Sequence, residues 1–205
     1  MPTDCPLPSR RRVLRWVALV AALHGVMARA AAAAEDDWAA NPDAARAARL
    51  WARIGQASWV AEGNGPRIVY VFVDPNCPFS HKLYLATRSV VGRDGLQLRW
   101  IIVGTLHASS PGKAAAILAA PDPLAAFRHN ENDWDFSEIP GGGIRPLAHP
   151  GAAVRHKLQV NAALMHSAGL DSFPVMLYRT ANGRAHLING LLPDNTLAIV
   201  LRSAR

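Results

Sequence analysis

Cys77 stands where a predicted buried strand gives way to a predicted helix, a position that can activate a thiol. Residues 68–73 form an apolar run rich in β-branched and aromatic side chains, which predicts a buried strand. Asp-Pro-Asn at 74–76 ends that strand, and Pro78 is well placed as the first residue of a helix. Unpaired N–H groups and the positive end of a helix dipole favour the thiolate, which is the nucleophilic form of cysteine. The segment therefore predicts a redox-active cysteine.

Ser80 occupies the position at which redox proteins built on this strand, turn and helix usually carry a second cysteine. That second thiol normally releases the mixed disulfide formed by the first. The hydroxyl of Ser80 can donate a hydrogen bond to the Cys77 thiolate, but it cannot close a disulfide. Chemistry at Cys77 can therefore go only as far as a mixed disulfide or a sulfenic acid unless an outside thiol takes part.

His81 follows on the first turn of the predicted helix, and a protonated imidazole there would favour the Cys77 thiolate. A solvent-facing helix residue is an equally good interpretation. The other histidines of the later chain, at positions 107, 129, 149, 156, 166 and 186, lack metalloprotease and zinc-finger spacing. Residues 130–135 lack the glycine and terminal glutamate of a calcium loop and indicate a solvated loop. We expect neither a metal nor a cofactor.

Residues 1–34 have the composition of an export signal. A basic stretch at 9–15 precedes an apolar stretch at 16–26, and small residues follow. The paired arginines fit a twin-arginine signal, a Sec signal fits nearly as well, and a retained membrane anchor is a weaker alternative. Cys5 would leave with this segment, so Cys77 would be the only cysteine of the exported protein.

The net charge of +7 owes much to this leader. Its first 30 residues carry five of the 22 Lys and Arg and one of the 15 Asp and Glu, which leaves +3 for the remainder. No basic stripe with interleaved aromatic residues follows, so we expect no nucleic-acid partner. No later apolar run reaches the length of a membrane span. A lone cysteine is unusual in an exported protein, because structural disulfides use cysteines in pairs.

The rest of the chain predicts an α/β fold in one domain. Two strands that flank a helix, with Cys77 between, form a right-handed parallel β-α-β unit, and Asn182-Gly183 between apolar runs indicates a hairpin. The predicted elements are helix 42–60, strand 67–73, helix 78–91, strand 96–103, helices 112–120, 123–130 and 151–168, strands 175–178 and 185–188, and helix 193–203. The predicted divisions are the signal 1–34, an N-terminal helix and linker 35–66, and a domain 67–205 with a helical insert at about 111–170.

Three strings carry a resemblance to a known family: VYVFVDPNCPF at 69–79, SPGKAAAILA at 110–119 and GLLPD at 190–194. The order of elements, with Cys-Pro after one strand and a proline opening a later one, is similar to the thioredoxin fold with a helical insertion before the strand that the proline opens. The strings resemble the family of periplasmic disulfide isomerases that contains DsbC and DsbG, and particularly DsbG. The resemblance extends over roughly residues 43–202.

The resemblance implies a thiol–disulfide site in the motif Cys77-Pro78-Phe79-Ser80, with Cys77 as the nucleophile. It also implies that Pro174 is a cis-proline facing Cys77, and that the backbone of Phe173 pairs with a bound peptide. The implied partners are client proteins with cysteines and an external thiol or periplasmic reductase, and the implied location is the periplasm.

The chain departs from this family in three ways. Ser80 removes the two-thiol cycle, and only the helix at 42–60 stands where the family has an N-terminal dimerisation domain, so we expect a monomer. Phe173 stands where the family often has a small polar residue, and a large ring beside the thiol would bias binding towards apolar groups.

Three functions fit these observations to different degrees. The first is a single-cysteine isomerase or reductase that acts on client disulfides or on sulfenylated or glutathionylated cysteines. The second is a redox-poor chaperone-like or assembly-factor domain that binds peptide clients in the thioredoxin groove, which Ser80 favours and Cys77 in its full context does not. Monothiol glutaredoxin chemistry with an iron–sulfur cluster shares Cys-x-x-Ser but fits poorly with an export signal and a helical insert.

Overall fold

The computed structural model describes residues 42–137 and 141–205, so the predicted export signal and Cys5 lie outside the described residues. These residues form a five-stranded sheet with helices on both faces, the α/β fold that the sequence predicts. The strands are β1 (Val60–Glu62), β2 (Arg67–Val73), β3 (Leu96–Ile102), β4 (Val175–Arg179) and β5 (Ala185–Asn189). The helices are α1 (Pro42–Arg53), α2 (Pro78–Thr87), α3 (Ser110–Ala119), α4 (Pro123–Asn132), α5 (Ala152–Ser167) and α6 (Asp194–Ser203).

The strand order β1-β3-β2-β4-β5 places β2 at the centre of the sheet. β2 and β3 run parallel and are joined through α2, as the sequence predicts, and the other neighbouring pairs are antiparallel. Helices α3, α4 and α5 follow β3 and precede β4, where the helical insertion is expected. Phe72 near the end of β2 pairs with Val175 at the start of β4. This register brings the residues after β2 beside those before β4.

Both faces of the sheet are covered, which explains why β2 is an unbroken apolar run. Alternate residues point to opposite faces, so Val71 and Val73 pack with α2 and α6 while Tyr70 and Phe72 pack with α1 and α5. Cys77 belongs to the second cluster. Residues Asp43–Arg205 form one compact unit, and no described helix is long and apolar enough to cross a membrane.

The sequence predicts that the first helix extends to residue 60, and the structure shows a shorter helix. Helix α1 ends at Arg53, a short 3-10 helix covers Ile54–Gln56, and the chain then adds β1 to the sheet edge. Val60 pairs with Trp100 of β3 in this antiparallel edge. The pairing with β3 makes these three residues a strand, since three residues show no periodicity of their own.

Helix α2 also ends earlier than predicted, at Thr87 instead of position 91. The Thr87 hydroxyl donates to the carbonyl of Tyr84 at 2.8 Å, and the Arg88 N–H donates to the carbonyl of Leu85 at 3.2 Å. These bonds tighten the last turn and end the helix.

Glu62 closes the edge strand with a buried carboxylate that is only 1% exposed. Arg88 donates to both of its oxygens, at 2.6 and 2.7 Å, and Arg128 and the Trp100 indole N–H each donate at 2.9 Å. Burial raises the pKa of Glu62, but the hydrogen bonds and charge of Arg88, with the bonds from Trp100 and Arg128, outweigh it and hold the pKa below its ordinary value. The carboxylate therefore ties β1 to β3, to the end of α2 and to α4.

We expect Glu62→Gln to lower the free energy of unfolding at neutral pH by about 2–4 kcal/mol, because two arginines lose their shared counter-charge. The pKa of Glu62 is lowered by folding, so the stability it contributes is present above its ordinary value of 4.5 and is lost as pH falls through the folded-state pKa. Urea unfolding at several pH values should therefore show the gap between wild type and variant narrowing in acid. Asp171→Asn, at an exposed carboxylate, is the control; a gap that does not change with pH would contradict the assignment.

Candidate active site

Cys77 is the N-cap residue of α2. Its N–H donates to the carbonyl of Asp74 at 3.0 Å, its carbonyl accepts the N–H of His81 at 3.0 Å, and exposed Pro78 begins the helix. The Cys77 side chain is recessed, with 4% of the residue exposed, and its Sγ–H donates to the carbonyl of Phe173 at 3.7 Å. The thiol thus lies at a helix N-terminus, as the sequence predicts, and the backbone before β4 faces it.

The Phe173–Pro174 peptide is cis, as expected for the residue opening this strand. The Pro174 carbonyl accepts the N–H of Gly190 at 2.8 Å, which fixes the turn against the end of β5. The Phe173 ring is only 7% exposed and packs in the same core cluster as Cys77 and Leu170, so it offers little surface to a partner. The carbonyl of Phe173 is the group that bonds the Cys77 thiol.

Ser80 is buried, and its hydroxyl oxygen has no hydrogen-bond partner within residues 42–137 and 141–205. The expected bond between Ser80 and Cys77 is not formed in this state, in which the Cys77 thiol donates to Phe173 instead. A buried hydroxyl without a partner costs about 1–3 kcal/mol, so such groups are rare and call for an explanation.

His81 is buried, which rules out the solvent-facing interpretation. Its Nδ1 lies 3.0 Å from Oε2 of Glu131, its ring stacks on Trp134 with 4.3 Å between centroids, and the Phe136 ring packs edge-on with 6.1 Å between centroids. Oε1 of Glu131 accepts the side-chain N–H of Asn130 at 3.0 Å. Burial raises the pKa of Glu131, and the hydrogen bonds from His81 and Asn130 act in the opposite direction.

Glu131 was not found by sequence reasoning. The prediction of a solvated loop at 130–135 is wrong for its first residues, because α4 continues to Asn132 and the Asn130 and Glu131 side chains are buried. The available signal was a helix that continues past Asn130 and carries a carboxylate in its last turn. The contact with His81 joins residues 50 positions apart, and no local pattern reports it.

Asp74 holds the turn before Cys77 with a fully buried carboxylate. Oδ1 accepts the Asn76 N–H at 2.9 Å and the Ser110 hydroxyl at 2.6 Å. Oδ2 accepts the N–H groups of Thr105 and Leu106 at 2.7 and 2.9 Å. The turn is thereby fastened to the loop after β3 and to the start of α3.

Asn76 extends this network to the segment that follows α4. Its side-chain oxygen accepts Nζ of Lys113 at 2.8 Å, and the same Nζ donates to the carbonyl of Gly142 at 2.6 Å. Burial lowers the pKa of Lys113, while the charges of Asp135 and Asp74 act against that shift. The Gly142 N–H in turn donates to the carbonyl of Pro75 at 3.0 Å.

The glycines at 141–143 fit closely against the same turn. A Cβ on Gly141 would overlap the Asn76 side chain, and a Cβ on Gly142 would overlap the side chain of Asn130. Because Asn130 is fully buried and donates to both Pro75 and Glu131, its amide has little room to move. Glycine is therefore required here for close approach.

The surface around the thiol is apolar. Phe79 is 52% exposed, with Nζ of Lys82 lying 5.5 Å from its ring centroid, and Leu106 and Phe136 are also exposed. An open groove of about 520 Å³ is lined largely by apolar groups of α3, α5 and the segment 146–150. Ser109, at one end of this groove, accepts a hydrogen bond from Asn76 of the active-site turn. These features lie beside the turn that carries Cys77 and offer apolar contact to a partner.

A cysteine at the N-terminus of the helix after β2, facing a cis-proline before β4, defines a thioredoxin-like protein. Residues 55–205 match the thioredoxin-like domain family, and the chain belongs to that family. The chain is 36% identical over 157 residues to the thiol:disulfide interchange protein DsbG of Pseudomonas aeruginosa, an alignment that covers 76% of this chain and 59% of that protein. DsbG of Escherichia coli is 32% identical over 157 residues, covering 74% and 60%.

The resemblance to DsbG is thereby confirmed, and the chain spans about three-fifths of the length of the curated relatives it matches. The catalytic domain of Proteus mirabilis ScsC superposes with a TM-score of 0.58 at 14% identity, covering 76% of this chain and 96% of that one. At this identity the superposition supports the thioredoxin-like fold alone.

Replacing Gly142 by alanine tests the close packing behind the active-site turn. We expect Gly142→Ala to lower the free energy of unfolding by about 1–3 kcal/mol, because the buried Asn130 amide must shift. Gly55→Ala is the matched control, since a Cβ there meets nothing within 4 Å, and should change stability by less than about 0.5 kcal/mol. Equal unfolding midpoints for the two variants would show that the Gly142 contact is not restrictive.

Proposed function

We propose that this protein is an exported, periplasmic thiol–disulfide interchange protein that acts through the single cysteine Cys77 and forms mixed disulfides with client proteins. The observation that carries the proposal is the Cys77 thiol at the N-cap of α2, facing the Phe173–Pro174 backbone. The similarity to two proteins named DsbG supports the reaction class. The composition of residues 1–34 supports the location.

The first step is attack of the Cys77 thiolate on a client sulfur. With a client disulfide, a bond forms between Sγ and one client sulfur, the client S–S bond breaks, and the other client sulfur leaves as a thiolate. With a sulfenylated client cysteine, hydroxide leaves, and with a glutathionylated one, the glutathione thiolate leaves. Each route ends in the same mixed disulfide between Cys77 and the client.

The groups around Cys77 bond differently to its thiol and to its thiolate. The Phe173 carbonyl accepts a hydrogen bond from the thiol but has nothing to offer a thiolate. We infer that the Ser80 hydroxyl, which is buried on the first turn of α2 without a partner among the described residues, donates to the thiolate when it forms. The free N–H groups of that turn add to this stabilisation.

Release of the client needs a second thiol from outside the site, because Ser80 cannot supply one. A second cysteine of the client gives isomerisation, and a small thiol or a periplasmic reductase gives reduction. Net oxidation of clients is disfavoured, since Cys77 has no partner with which to store a disulfide. A monomer suffices for these steps.

The second candidate is a chaperone-like or assembly-factor domain that binds peptide clients and has little redox turnover. The exposed Phe79, Leu106 and Phe136 beside the recessed thiol favour this candidate, because such side chains offer apolar contact without chemistry. The two candidates differ in whether the thiol is needed for client capture.

An assay of mixed-disulfide formation distinguishes the two candidate functions. In the full chain carrying Cys5→Ser, we expect a disulfide-containing peptide to add one peptide mass at Cys77, and Cys77→Ala to abolish that adduct, as measured by mass spectrometry. If Cys77→Ala keeps full affinity for a reduced client in a binding assay and the parent chain forms no adduct, the binding-only function is the correct one.

Ser80→Cys tests the role of the missing second thiol. We expect the variant to shorten the lifetime of the mixed disulfide at least about tenfold, because a thiol on the same helix turn acts at a millimolar or higher effective concentration. Stopped-flow or quenched mass spectrometry measures the lifetime. Ser89→Cys adds an exposed thiol beyond the end of α2, remote from Cys77, and should leave the lifetime unchanged; equal lifetimes in both variants would refute the argument.

A further inference from the structure

Release of the client from Cys77 requires an outside thiol to lose its proton, and the proposed function names no group that accepts it. An outside thiol attacks as a thiolate, yet a free cysteine thiol has a pKa of about 8.5 and is mostly protonated at neutral pH. A base beside Cys77 would remove that proton during attack. The described residues offer one such group, the buried His81 with its carboxylate partner Glu131.

His81 lies one helical turn after Cys77, and its N–H donates to the Cys77 carbonyl. Cys77 is the N-cap of α2, so this bond places His81 one turn further along the helix that begins at the thiol. The imidazole is held by the stacked ring of Trp134 and by the 3.0 Å contact of Nδ1 with Glu131. Its Nε2 has no hydrogen-bond partner in the part of the chain that the structure describes, and 8% of the side chain remains exposed.

This arrangement fixes which nitrogen can take up a proton. When Glu131 is ionised, Nδ1–H donates to its carboxylate, and the lone pair of a neutral imidazole then lies on Nε2. A carboxylate on Nδ1 also stabilises the imidazolium that forms when Nε2 accepts a proton. Glu131 itself is oriented by the Asn130 side chain, which donates to its other oxygen.

We propose that His81 accepts the proton of the external thiol that releases the client from Cys77, and that Glu131 is the residue that positions His81 for this transfer. The inference rests on the proposed function. The sulfur of the external thiol bonds to Sγ of Cys77 while its proton passes to Nε2 of His81. The bond between Sγ and the client sulfur breaks, and the client thiolate recovers the proton from His81.

A second equivalent of the external thiol completes the cycle in the same way. It attacks the sulfur of the first, gives up its proton through His81 to the leaving Cys77 thiolate, and departs as a symmetric disulfide. Two thiols are oxidised and one mixed disulfide is reduced to two thiols, so atoms and electrons balance.

Few charged groups surround His81 and Glu131 within the described residues. The charge of Arg88, the C-cap residue of α2, lowers the pKa of Glu131, against the larger effect of burial. Tyr84 of α2 lies near the same carboxylate, and burial, with smaller contributions from Glu62 and Glu131, raises its pKa. On the segment that carries Trp134, Asp133 pairs with His129 at 2.6 Å and Asp135 accepts two hydrogen bonds from Ser137. Glu131 is thus the one carboxylate shown in contact with His81.

The test is release of a chromogenic thiol from Cys77. The full chain carrying Cys5→Ser is converted to its mixed disulfide with thionitrobenzoate, and free cysteine is added while absorbance reports release. We expect His81→Gln to slow release at least about tenfold at neutral pH, a smaller effect than the roughly 10²–10⁴-fold that general acid–base catalysis typically contributes. The ratio of wild-type to variant rates should approach one as pH rises past about 8.5, where free cysteine supplies its own thiolate.

His156→Gln, at an exposed histidine of α5, is the matched control and should match the parent chain at every pH. Glu131→Gln keeps an acceptor for Nδ1–H but removes the charge, so we expect a smaller decrease with the same dependence on pH. This second variant retains the packing of the site and keeps the test valid if His81→Gln does not fold.

Two outcomes would overturn the proposal. One is a rate ratio for His81→Gln that stays constant across pH, since a purely structural defect slows release equally whether or not the thiol is ionised. The other is an equal loss in alkylation of the reduced protein by iodoacetamide, which involves no incoming thiol and would place the effect on Cys77 itself. Failure of Cys77 to accept thionitrobenzoate at all would refute the proposed function instead.

Discussion

The fully buried carboxylate of Asp74 is the constraint on which the rest of the site depends. An ionised group inside a protein is tolerated only where hydrogen bonds replace its lost water. Asp74 receives four, from the Asn76 N–H, the Ser110 hydroxyl and the N–H groups of Thr105 and Leu106. Satisfying this one carboxylate therefore sets the turn before Cys77, the loop after β3 and the start of the helical insert in a fixed relation.

Two further buried carboxylates show how different donors give the same group different roles. Glu62 is surrounded by two arginines and an indole, so it remains charged and fastens the edge strand to two helices. Within the described residues, Glu131 is bonded by a histidine and an amide, and burial raises its pKa. A well-neutralised carboxylate serves stability, whereas one with a titratable partner beside a nucleophile can take part in proton transfer.

Most of the fold could be predicted from local sequence because its signals are local. The apolar run of β2, the turn residues 74–76 and Pro78 as first helical residue are adjacent in sequence and agree with one another. β1 could not be predicted, because its three residues become a strand only by pairing with β3. The burial of the Phe173 ring and the contact of His81 with Glu131 are likewise tertiary, and no spacing within one segment encodes them.

In the proposed function, the serine at position 80 leaves the first step of a two-cysteine site to Cys77 and the second step to a thiol from outside the protein. Serine is close to cysteine in volume, so the first turn of α2 can bury it to 2% exposure and retain a donor for the thiolate. The second thiol must then come from solvent to a sulfur whose residue is only 4% exposed. Access is bordered by exposed Pro78 and Phe79, which favours thiols that can contact an apolar surface. The same recess that protects the Cys77 adduct therefore selects which thiols can resolve it.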